Sequence, residues 1–223
     1  MPAAARDLLA KLKDGLAALQ LGLSDQQASQ LLAYMDLIIK WTRVYNLTAV
    51  RDPAEILTHH LLDSLATVSP LQRYLQQADL EQGSRFLDVG SGAGLPGVVI
   101  AICCPSVTVT CVDTVAKKTA FIKQAALALK LPNLTVLHVR VETVTQRFDV
   151  VSSRAFASLA DFTAWSNHAL APKGIWMAMK GKYPADEITA LPSNVQVFHV
   201  EHLTVPCLDA ERCIIWMRPK TRD

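Results

Sequence analysis

The hydrophobic residues in the first third of the chain recur every three or four positions, which is the spacing of helices that bury one face. The first helix ends before Gly22, and Ser24 begins the second with a capping box that Gln27 completes. Pro53 stands at the first position of a third helix, where its missing N–H costs least. No strand pattern precedes residue 84. We therefore expect a helical cap over residues 1–83, with helices over 6–20, about 25–43 and from 53 onward.

From residue 84 onward, short apolar runs alternate with helical patterns, which is typical of a doubly wound parallel sheet. The last two runs are joined by too short a connection for a parallel crossover, so we expect an antiparallel hairpin there. The chain is therefore predicted to be an α/β protein with a Rossmann-like, seven-stranded, mostly parallel sheet over residues 84–223. The predicted strands are 86–89, 107–112, 134–139, 148–153, 175–179, 195–203 and 212–218, and the main helices between them are 95–102, 115–130 and about 158–170.

The composition leads us to expect a cytoplasmic protein without a membrane anchor. Of 223 residues, 51% are hydrophobic, but no apolar run is long enough to span a bilayer, and the N-terminus lacks the apolar segment of a secretion signal. The five cysteines form no CxxC pair, so we expect reduced thiols and no structural zinc site. A net charge of +2 permits a nucleic-acid partner without requiring one.

A glycine-rich stretch after the first strand organises the rest of the chain. The apolar run ends at Val89, and glycines follow at alternate positions, at Gly90, Gly92 and Gly94. Glycine allows a tight turn, and its missing Cβ lets a ligand approach the backbone. The helix that follows presents its N-terminus, with Pro96 in its first turn. This stretch therefore predicts a cofactor site at the carboxyl edge of the sheet.

Two kinds of cofactor fit this loop. Residues 92–97 match the GxGxxG fingerprint of NAD- and FAD-binding proteins, but the match begins two residues after the strand ends and contains Pro96. Counted from the strand end, Asp88 precedes the alternating glycines. That pattern suits S-adenosylmethionine, which has an ammonium group and no pyrophosphate. We favour S-adenosylmethionine and keep an NAD-dependent oxidoreductase as the alternative.

The tips of the next two strands supply further candidates, since ligands of such sheets bind at the carboxyl ends of the strands. Asp113 ends the second strand, where its carboxylate can accept both ribose hydroxyls or can cap the next helix. Val141 and Glu142 follow the third strand and are placed to face the adenine. Glu142 can also be explained as a carboxylate in the first turn of a helix.

Arg154 ends the fourth strand, where methyltransferases place residues that face the acceptor. Its planar guanidinium can hold the donor's carboxylate or a phosphate. The alternative is an ion pair with Asp149 or Asp161. We favour the functional role because of its position, and we treat Arg154 as a candidate positioning residue.

Other polar clusters have simpler explanations. His59, His60 and Asp63 lie at helical spacing and could form a metal site, but we favour one histidine and Asp63 packed or hydrogen-bonded against the sheet domain. Cys207 follows a proline, as in cytosine-C5 methyltransferases, yet it lies far along the chain from the fourth strand, and we do not assign it as a nucleophile. We assign no metal and no catalytic base. An acceptor with a free lone pair, such as guanine N7, needs only positioning.

Four segments of the chain resemble the RsmG (GidB) family, bacterial methyltransferases that act on 16S ribosomal RNA. Two lie in the cap, over residues 45–53 and 60–64, and two lie in the sheet domain, over 88–97 and 153–159. The latter two are specific, since the glycine loop contains Leu-Pro-Gly and the other reads Ser-Arg-Ala-Phe-Ala-Ser-Leu.

This resemblance implies a class I methyltransferase fold and S-adenosylmethionine-dependent methylation of N7 of one guanine, usually numbered 527, in the 530 loop of 16S rRNA. It implies cofactor contacts at Gly90, Leu95, Val141, Glu142 and Arg154. With the candidates from the loop and the second strand added, the expected cofactor residues are Gly90, Ser91, Gly92, Gly94, Leu95, Asp113, Val141, Glu142 and Arg154.

The partner implied by the resemblance is 16S rRNA or the small ribosomal subunit. Separately, we expect the protein to be a monomer. We expect the RNA to contact a basic rim, although each lysine taken singly is also explained as ordinary solvated charge. A non-catalytic RNA-binding assembly factor on a methyltransferase fold remains a further alternative, because fold alone does not establish catalysis. The basic rim consists of Arg43, Arg51, Lys117, Lys118, Arg154, Lys180 and Lys182.

Overall fold

The computed structural model describes residues 3–220 and begins with a series of helices. Residues 1, 2 and 221–223, which belong to the predicted cap and sheet regions, lie outside this description. A π-helical segment, Leu57–Leu62, joins α3 to α4 without a break. The helices before the first strand are α1 (Ala3–Ala18), α2 (Asp25–Tyr45), α3 (Pro53–Ile56), α4 (Asp63–Leu65) and α5 (Val68–Gln77).

Strands and helices alternate from residue 85 onward, as predicted. The strands are β1 (Arg85–Val89), β2 (Thr108–Asp113), β3 (Leu134–His138), β4 (Phe148–Arg154), β5 (Leu170–Lys180), β6 (Val195–Leu203) and β7 (Arg212–Pro219). The helices among them are α6 (Gly97–Cys103), α7 (Ala116–Ala128), α8 (Leu159–Ser166) and α9 (Ala185–Thr189), with 3₁₀ turns at Val141–Thr143 and Asn167–Ala169.

The strands form one sheet in the order β3-β2-β1-β4-β5-β7-β6. The first five are parallel, and β7 runs antiparallel to both β5 and β6, which confirms the closing hairpin. The chain leaves β1 toward β2 and β3, and returns to the other side of β1 with β4. The carboxyl ends of β1 and β4 are therefore the switch point at which open α/β sheets bind ligands.

Two hydrophobic cores cover the two faces of this sheet. Phe86 belongs to the larger core and its neighbour Leu87 to the smaller one, because successive strand residues point to opposite faces. The larger core includes Leu12 and Leu31 of the first two helices together with Val98 of α6. Helices α1–α5 thus share a core with the sheet. Within residues 3–220, none of the helices has the length and hydropathy that a membrane span requires.

Some boundaries differ from the sequence prediction. Helices α5 and α9 are absent from that prediction, and α8 ends at Ser166 because a 3₁₀ turn follows it. Strand β5 begins at Leu170, five residues before the predicted start, and it bends past Gly174. A Cβ on that glycine would lie 2.7 Å from the carbonyl oxygen of Phe148. Pro96 precedes α6 as its N-cap and is not in its first turn.

Hydrogen bonds from α2 attach the cap to the sheet region. Ser24 and Gln27 form the predicted capping box, and Gln27 also donates from Nε2 to the carbonyl oxygen of Ile102 at 2.8 Å. Further along the same helix, the fully buried Tyr34 donates its hydroxyl to the carbonyl oxygen of Ala93 at 2.5 Å. Helix α2 therefore supports the glycine loop directly.

We predict that Tyr34→Phe lowers the free energy of unfolding by about 1–3 kcal/mol, because the buried Ala93 carbonyl loses its donor while the ring still fills its site. Urea denaturation measures the change. Tyr45→Phe is the matched control, since Tyr45 lies on the same helix with its side chain exposed. Equal stability of the two variants would show that the hydroxyl of Tyr34 contributes nothing.

Candidate functional site

Two adjoining cavities open at the carboxyl ends of the parallel strands. The larger has a volume of about 610 Å³ and lies between the ends of β1, β4 and β5 and the cap. The smaller, of about 390 Å³, lies between the ends of β1 and β2 and the turn that follows β3. Gly90, Lys118 and Ala155 line both cavities. Both volumes fall within the range of small-molecule sites, and the arrangement offers two neighbouring compartments with these three residues between them.

The glycine loop has the backbone conformation that its sequence predicts. Gly90, Gly92 and Gly94 have φ angles of +66°, +58° and +85°, a region that favours glycine. A Cβ on Gly90 would lie 2.3 Å from the ring of Phe156, whereas a Cβ on Gly92 would have no neighbour closer than 3.9 Å. Gly90 is therefore required by packing, and Gly92 leaves open space beside the larger cavity.

Hydrogen bonds from neighbouring strands hold this loop in place. The amides of Gly90 and Ser91 donate to the carbonyl oxygen of Val112, at 2.9 and 3.1 Å. The Ser91 hydroxyl donates to the carbonyl oxygen of Asp88 at 2.7 Å. Ser91 thus contributes to the shape of the loop, while Leu95 adds an apolar wall to the larger cavity.

Asp113 lies at the tip of β2 and performs two tasks. One carboxylate oxygen accepts a hydrogen bond from the amide of Val115 at 2.8 Å, which caps the turn into α7. The other accepts from the amide of Gly92 at 2.9 Å. Asp113 is not the N-cap of α7, since Val115 holds that position, and it also lines the smaller cavity, so its predicted ribose contact stays a prediction.

The smaller cavity combines an apolar wall with one carboxylate. Val141 is buried, while Glu142 is exposed and pairs with Arg140 at 2.8 Å, which lowers the pKa of Glu142. Phe156 and Trp165, whose ring centroids are 5.9 Å apart, add aromatic surface. Neither aromatic residue has a signal in the sequence, because both follow β4 rather than end a strand.

Asp88 occupies a different place from the one its motif suggested. Its carboxylate is fully buried beneath the loop and lines neither cavity. Asp88 is therefore not placed to contact an ammonium group in either cavity. One oxygen accepts from the amide of Gly97 at 3.0 Å, at the start of α6, and the other has no hydrogen-bond partner within the described chain. Burial raises the pKa of Asp88 to about 7.

Arg154 pairs with a carboxylate of the cap. Its Nη1 lies 2.8 Å from Oδ2 of Asp63, and it also donates to the carbonyl oxygen of His59. The alternative partners suggested by the sequence are engaged elsewhere, since Asp149 accepts from the amide of Arg85 and Asp161 from Ser158.

Asp63 also reaches the last strand, which the sequence does not reveal. Its Oδ1 accepts from Nε of Arg212 at 2.7 Å, so this buried carboxylate contacts both β4 and β7. The expectation that Asp63 is hydrogen-bonded against the sheet domain is confirmed. The sequence does not mark Arg212 as a site residue, because its partner Asp63 is 149 residues away along the chain.

His60 lines the larger cavity beside these charges. Its Nε2 is 2.6 Å from the hydroxyl of Thr48, and its Nδ1 is buried without a partner among the described residues. Burial, with Arg154 as a further cause, lowers the pKa of His60, which favours the neutral imidazole. Among residues 3–220, no group of three histidine, cysteine, aspartate or glutamate side chains is arranged to hold a metal ion.

The basic candidates differ in how accessible they are. Lys118 lines both cavities and lies 4.0 Å from the Asp113 carboxylate. Lys180 donates to the Glu187 carboxylate at 2.8 Å and to the carbonyl oxygen of Ala157, so its charge is neutralised within the protein. The exposed Cys207 lines neither cavity. The remaining basic candidates are exposed, and they are Arg43, Arg51, Lys117 and Lys182.

Comparison with known proteins finds relatives that are similar in sequence and a solved structure that is similar in fold. The profile of the GidB family, described as rRNA small subunit methyltransferase G, matches residues 27–215. Proteins named "Ribosomal RNA small subunit methyltransferase G" are similar to the chain. The one from Polaromonas naphthalenivorans (strain CJ2) is 73% identical, over 98% of this chain and 99% of its own. The one from Acidovorax sp. (strain JS42) is 65% identical, over 93% and 94%.

A solved structure shows a similar fold at low sequence identity. It is a SAM-dependent methyltransferase from Thiobacillus denitrificans in complex with S-adenosyl-L-homocysteine, with a TM-score of 0.50 and 13% identity. The match covers 69% of this chain and 91% of that one. At this identity the likeness supports the class I methyltransferase fold alone.

We predict that Gly92→Val abolishes measurable binding of S-adenosylmethionine by calorimetry while the protein stays folded, because the new side chain would enter the open space at the loop. Gly83→Val is the matched control. Gly83 also has a positive φ, +73°, and open space around it, but it lies before β1 and lines neither cavity. Donor affinity should survive in that variant. Equal loss in both variants would attribute the effect to backbone strain.

We also predict that the contribution of Asp88 to the free energy of unfolding decreases as the pH rises. In the unfolded chain its pKa is near 3.8, and in the folded protein it is about 7, so between these values unfolding releases a proton and becomes easier with increasing pH. The free energy of unfolding of the wild type, relative to that of Asp88→Asn, should therefore decrease by about 2–3 kcal/mol between pH 5 and pH 7.5. Denaturant titrations at the two pH values measure it. A constant difference would mean that Asp88 titrates normally.

Proposed function

The chain belongs to the GidB family, rRNA small subunit methyltransferase G, and from this premise we propose how its site transfers a methyl group to RNA. The protein is an S-adenosylmethionine-dependent methyltransferase acting on ribosomal RNA of the small subunit. We propose N7 of one guanine of 16S rRNA, position 527 in the 530 loop, as the acceptor. The observation that carries the proposal is the pair of cavities that share Gly90 in their walls, one lined by Asp113, Val141 and Phe156 and the other bounded by the cap.

The residues of the smaller cavity fit the nucleoside part of the donor. Asp113 would hold the ribose, while Val141 and Phe156 would enclose the adenine between apolar surfaces. Glu142 lies at the rim of the same cavity. The open space at Gly92 gives the backbone of the loop room to contact the donor. These residues therefore fit S-adenosylmethionine, which supplies an electrophilic methyl group when bound.

The residues of the larger cavity fit the positioning of an acceptor. Arg154 is held by its ion pair with Asp63 at the carboxyl end of β4, where it would bind the donor's carboxylate. Guanine N7 attacks through its lone pair and carries no proton, so no side chain has to act as a base. His60, in its favoured neutral form, and the apolar Leu95 and Met179 form walls that exclude water. Catalysis by this chain then consists largely of holding two partners in line.

We propose that the helices of residues 1–83 act as a cap on the acceptor side. Leu47, Thr48 and Val50 line the larger cavity, and His59 and His60 add to the same wall. Exposed basic residues on the cap, Arg43 and Arg51, would extend the contact to the RNA backbone, with Lys117, Lys118 and Lys182 on the sheet side. We further propose that the protein acts as a cytoplasmic monomer. The NAD-dependent alternative gains no observation, since α6 begins only at Gly97, the last residue of the GxGxxG match.

The test is transfer of tritium from labelled S-adenosylmethionine to RNA, with deproteinised 16S rRNA and intact small subunits compared side by side. We expect incorporation that creates a site cleavable by borohydride and aniline, which marks 7-methylguanine. Arg154→Ala should reduce transfer to background without unfolding the protein, because Asp63 keeps Arg212 as its partner. Full activity of that variant would remove Arg154 from the site. Incorporation without a cleavable site would overturn the N7 assignment.

A further inference from the structure

Asp63 is a buried carboxylate that holds a different arginine with each oxygen. Its side chain is 4% exposed, and the contacts to Nη1 of Arg154 and Nε of Arg212 measure 2.8 and 2.7 Å. The three residues come from α4, β4 and β7, yet all line the larger cavity. The cap thus contributes the single negative charge between two positive ones.

The charges of this cluster do not cancel. Two guanidiniums face one carboxylate, and both arginine side chains are largely shielded from solvent. A partly buried charge is costly unless an opposite charge pairs with it. The cluster therefore has the electrostatics of a site that is completed by an anionic group of a ligand.

Each arginine keeps a donor that the protein does not use. Arg154 engages Nη1 with Asp63 and with the carbonyl oxygen of His59, whereas Arg212 engages Nε with Asp63 and Nη1 with the carbonyl oxygen of Glu211. Within residues 3–220, the Nη2 atoms of both have no hydrogen-bonded acceptor. Guanidinium groups bind oxyanions through such donors, often in pairs.

The proposed reaction brings two oxyanions to this cavity, the carboxylate of the donor and the phosphodiesters of the RNA. Arg154 ends β4, whose neighbour β1 leads directly into the glycine loop. Arg212 begins β7, which two strands separate from β1. The arginine on β4 is therefore the one nearer the glycine loop along the sheet, and the arginine on β7 is the one farther from it.

We propose that Asp63 is a positioning residue that assigns the two arginines to different ligands, Arg154 to the donor's carboxylate and Arg212 to a phosphodiester of the RNA. This inference rests on the proposed function. It adds to that function a contact between Arg212 on β7 and an RNA phosphate. It also explains why the carboxylate of Asp63 is buried between two arginines.

The first experiment compares Arg212→Gln with Arg218→Gln. Both changes remove one positive charge from β7, but Arg218 is exposed and its guanidinium lies over the ring of Phe198, outside the cavity. Donor affinity is measured by calorimetry, and binding to deproteinised 16S rRNA and to small subunits is measured at several salt concentrations.

For Arg212→Gln we expect RNA affinity to fall by about tenfold and the slope of log affinity against log salt to decrease by about one, with donor affinity unchanged within about twofold. Arg218→Gln should change none of the three. Wild-type RNA affinity and slope in Arg212→Gln would overturn the proposal. A loss of donor affinity as large as that of Arg154→Ala would assign Arg212 to the carboxylate instead, which also overturns it.

The second experiment tests Asp63 through a double variant. Asp63→Asn leaves two guanidiniums facing each other without a carboxylate, so affinities for donor and RNA should both fall. In Asp63→Asn combined with Arg212→Gln, the repulsion is gone and the asparagine oxygen can still accept from Arg154. Donor affinity should then recover toward wild type, while RNA affinity stays at the Arg212→Gln level. A merely structural role would make donor affinity fall further in the double variant.

These binding measurements stand apart from the methylation assay. If Asp63→Asn does not fold, the Arg212 and Arg218 comparison still decides the assignment of the phosphate contact. If wild-type protein binds donor and RNA but transfers no methyl group, the proposed function fails while the binding comparison remains interpretable.

Discussion

The site depends on one constraint, which is that the chain turns from β1 toward α6 through three positions of positive φ, where any side chain would be strained. Three glycines with positive φ meet this constraint, and each is held differently. Gly90 is covered by Phe156, Gly94 is packed against Val98 and Tyr34, and Gly92 faces open space. The surrounding groups serve this loop, since β2 supplies carbonyl and carboxylate acceptors and the cap supplies the hydroxyl of Tyr34.

Much of the fold could be predicted from the sequence because its signals are local. The apolar runs, the capping box at Ser24 and the glycine spacing each reflect physics within a few residues. Helix α5 escaped prediction because it follows Leu65 closely and reads as a continuation of the preceding helix. The early start of β5 escaped because Gly174 interrupts the apolar run, although the strand continues through it with a bend.

The charged part of the site could be predicted only in part. Asp113 and Arg154 were found because they end strands, and a strand tip is visible in the sequence. Their partners were not found, since Asp63 lies 91 residues from Arg154 and 149 from Arg212. The burial of Asp88 could not be predicted for a related reason. A carboxylate at a strand tip can point into a cavity or beneath the loop, and the sequence contains no information about which.

The strand order has a consequence for how the protein folds. Strand β7 is the last to be synthesised, yet it lies inside the sheet, between β5 and β6. Strand β6 therefore joins the sheet only through β7, and the hairpin of these two strands becomes part of the sheet when β7 pairs with β5. Because Arg212 begins β7, the carboxylate from the cap acquires its second partner only at that step. A contact between residues 149 positions apart carries a high entropic cost of loop closure, so the site is complete only when the two ends of the chain have come together.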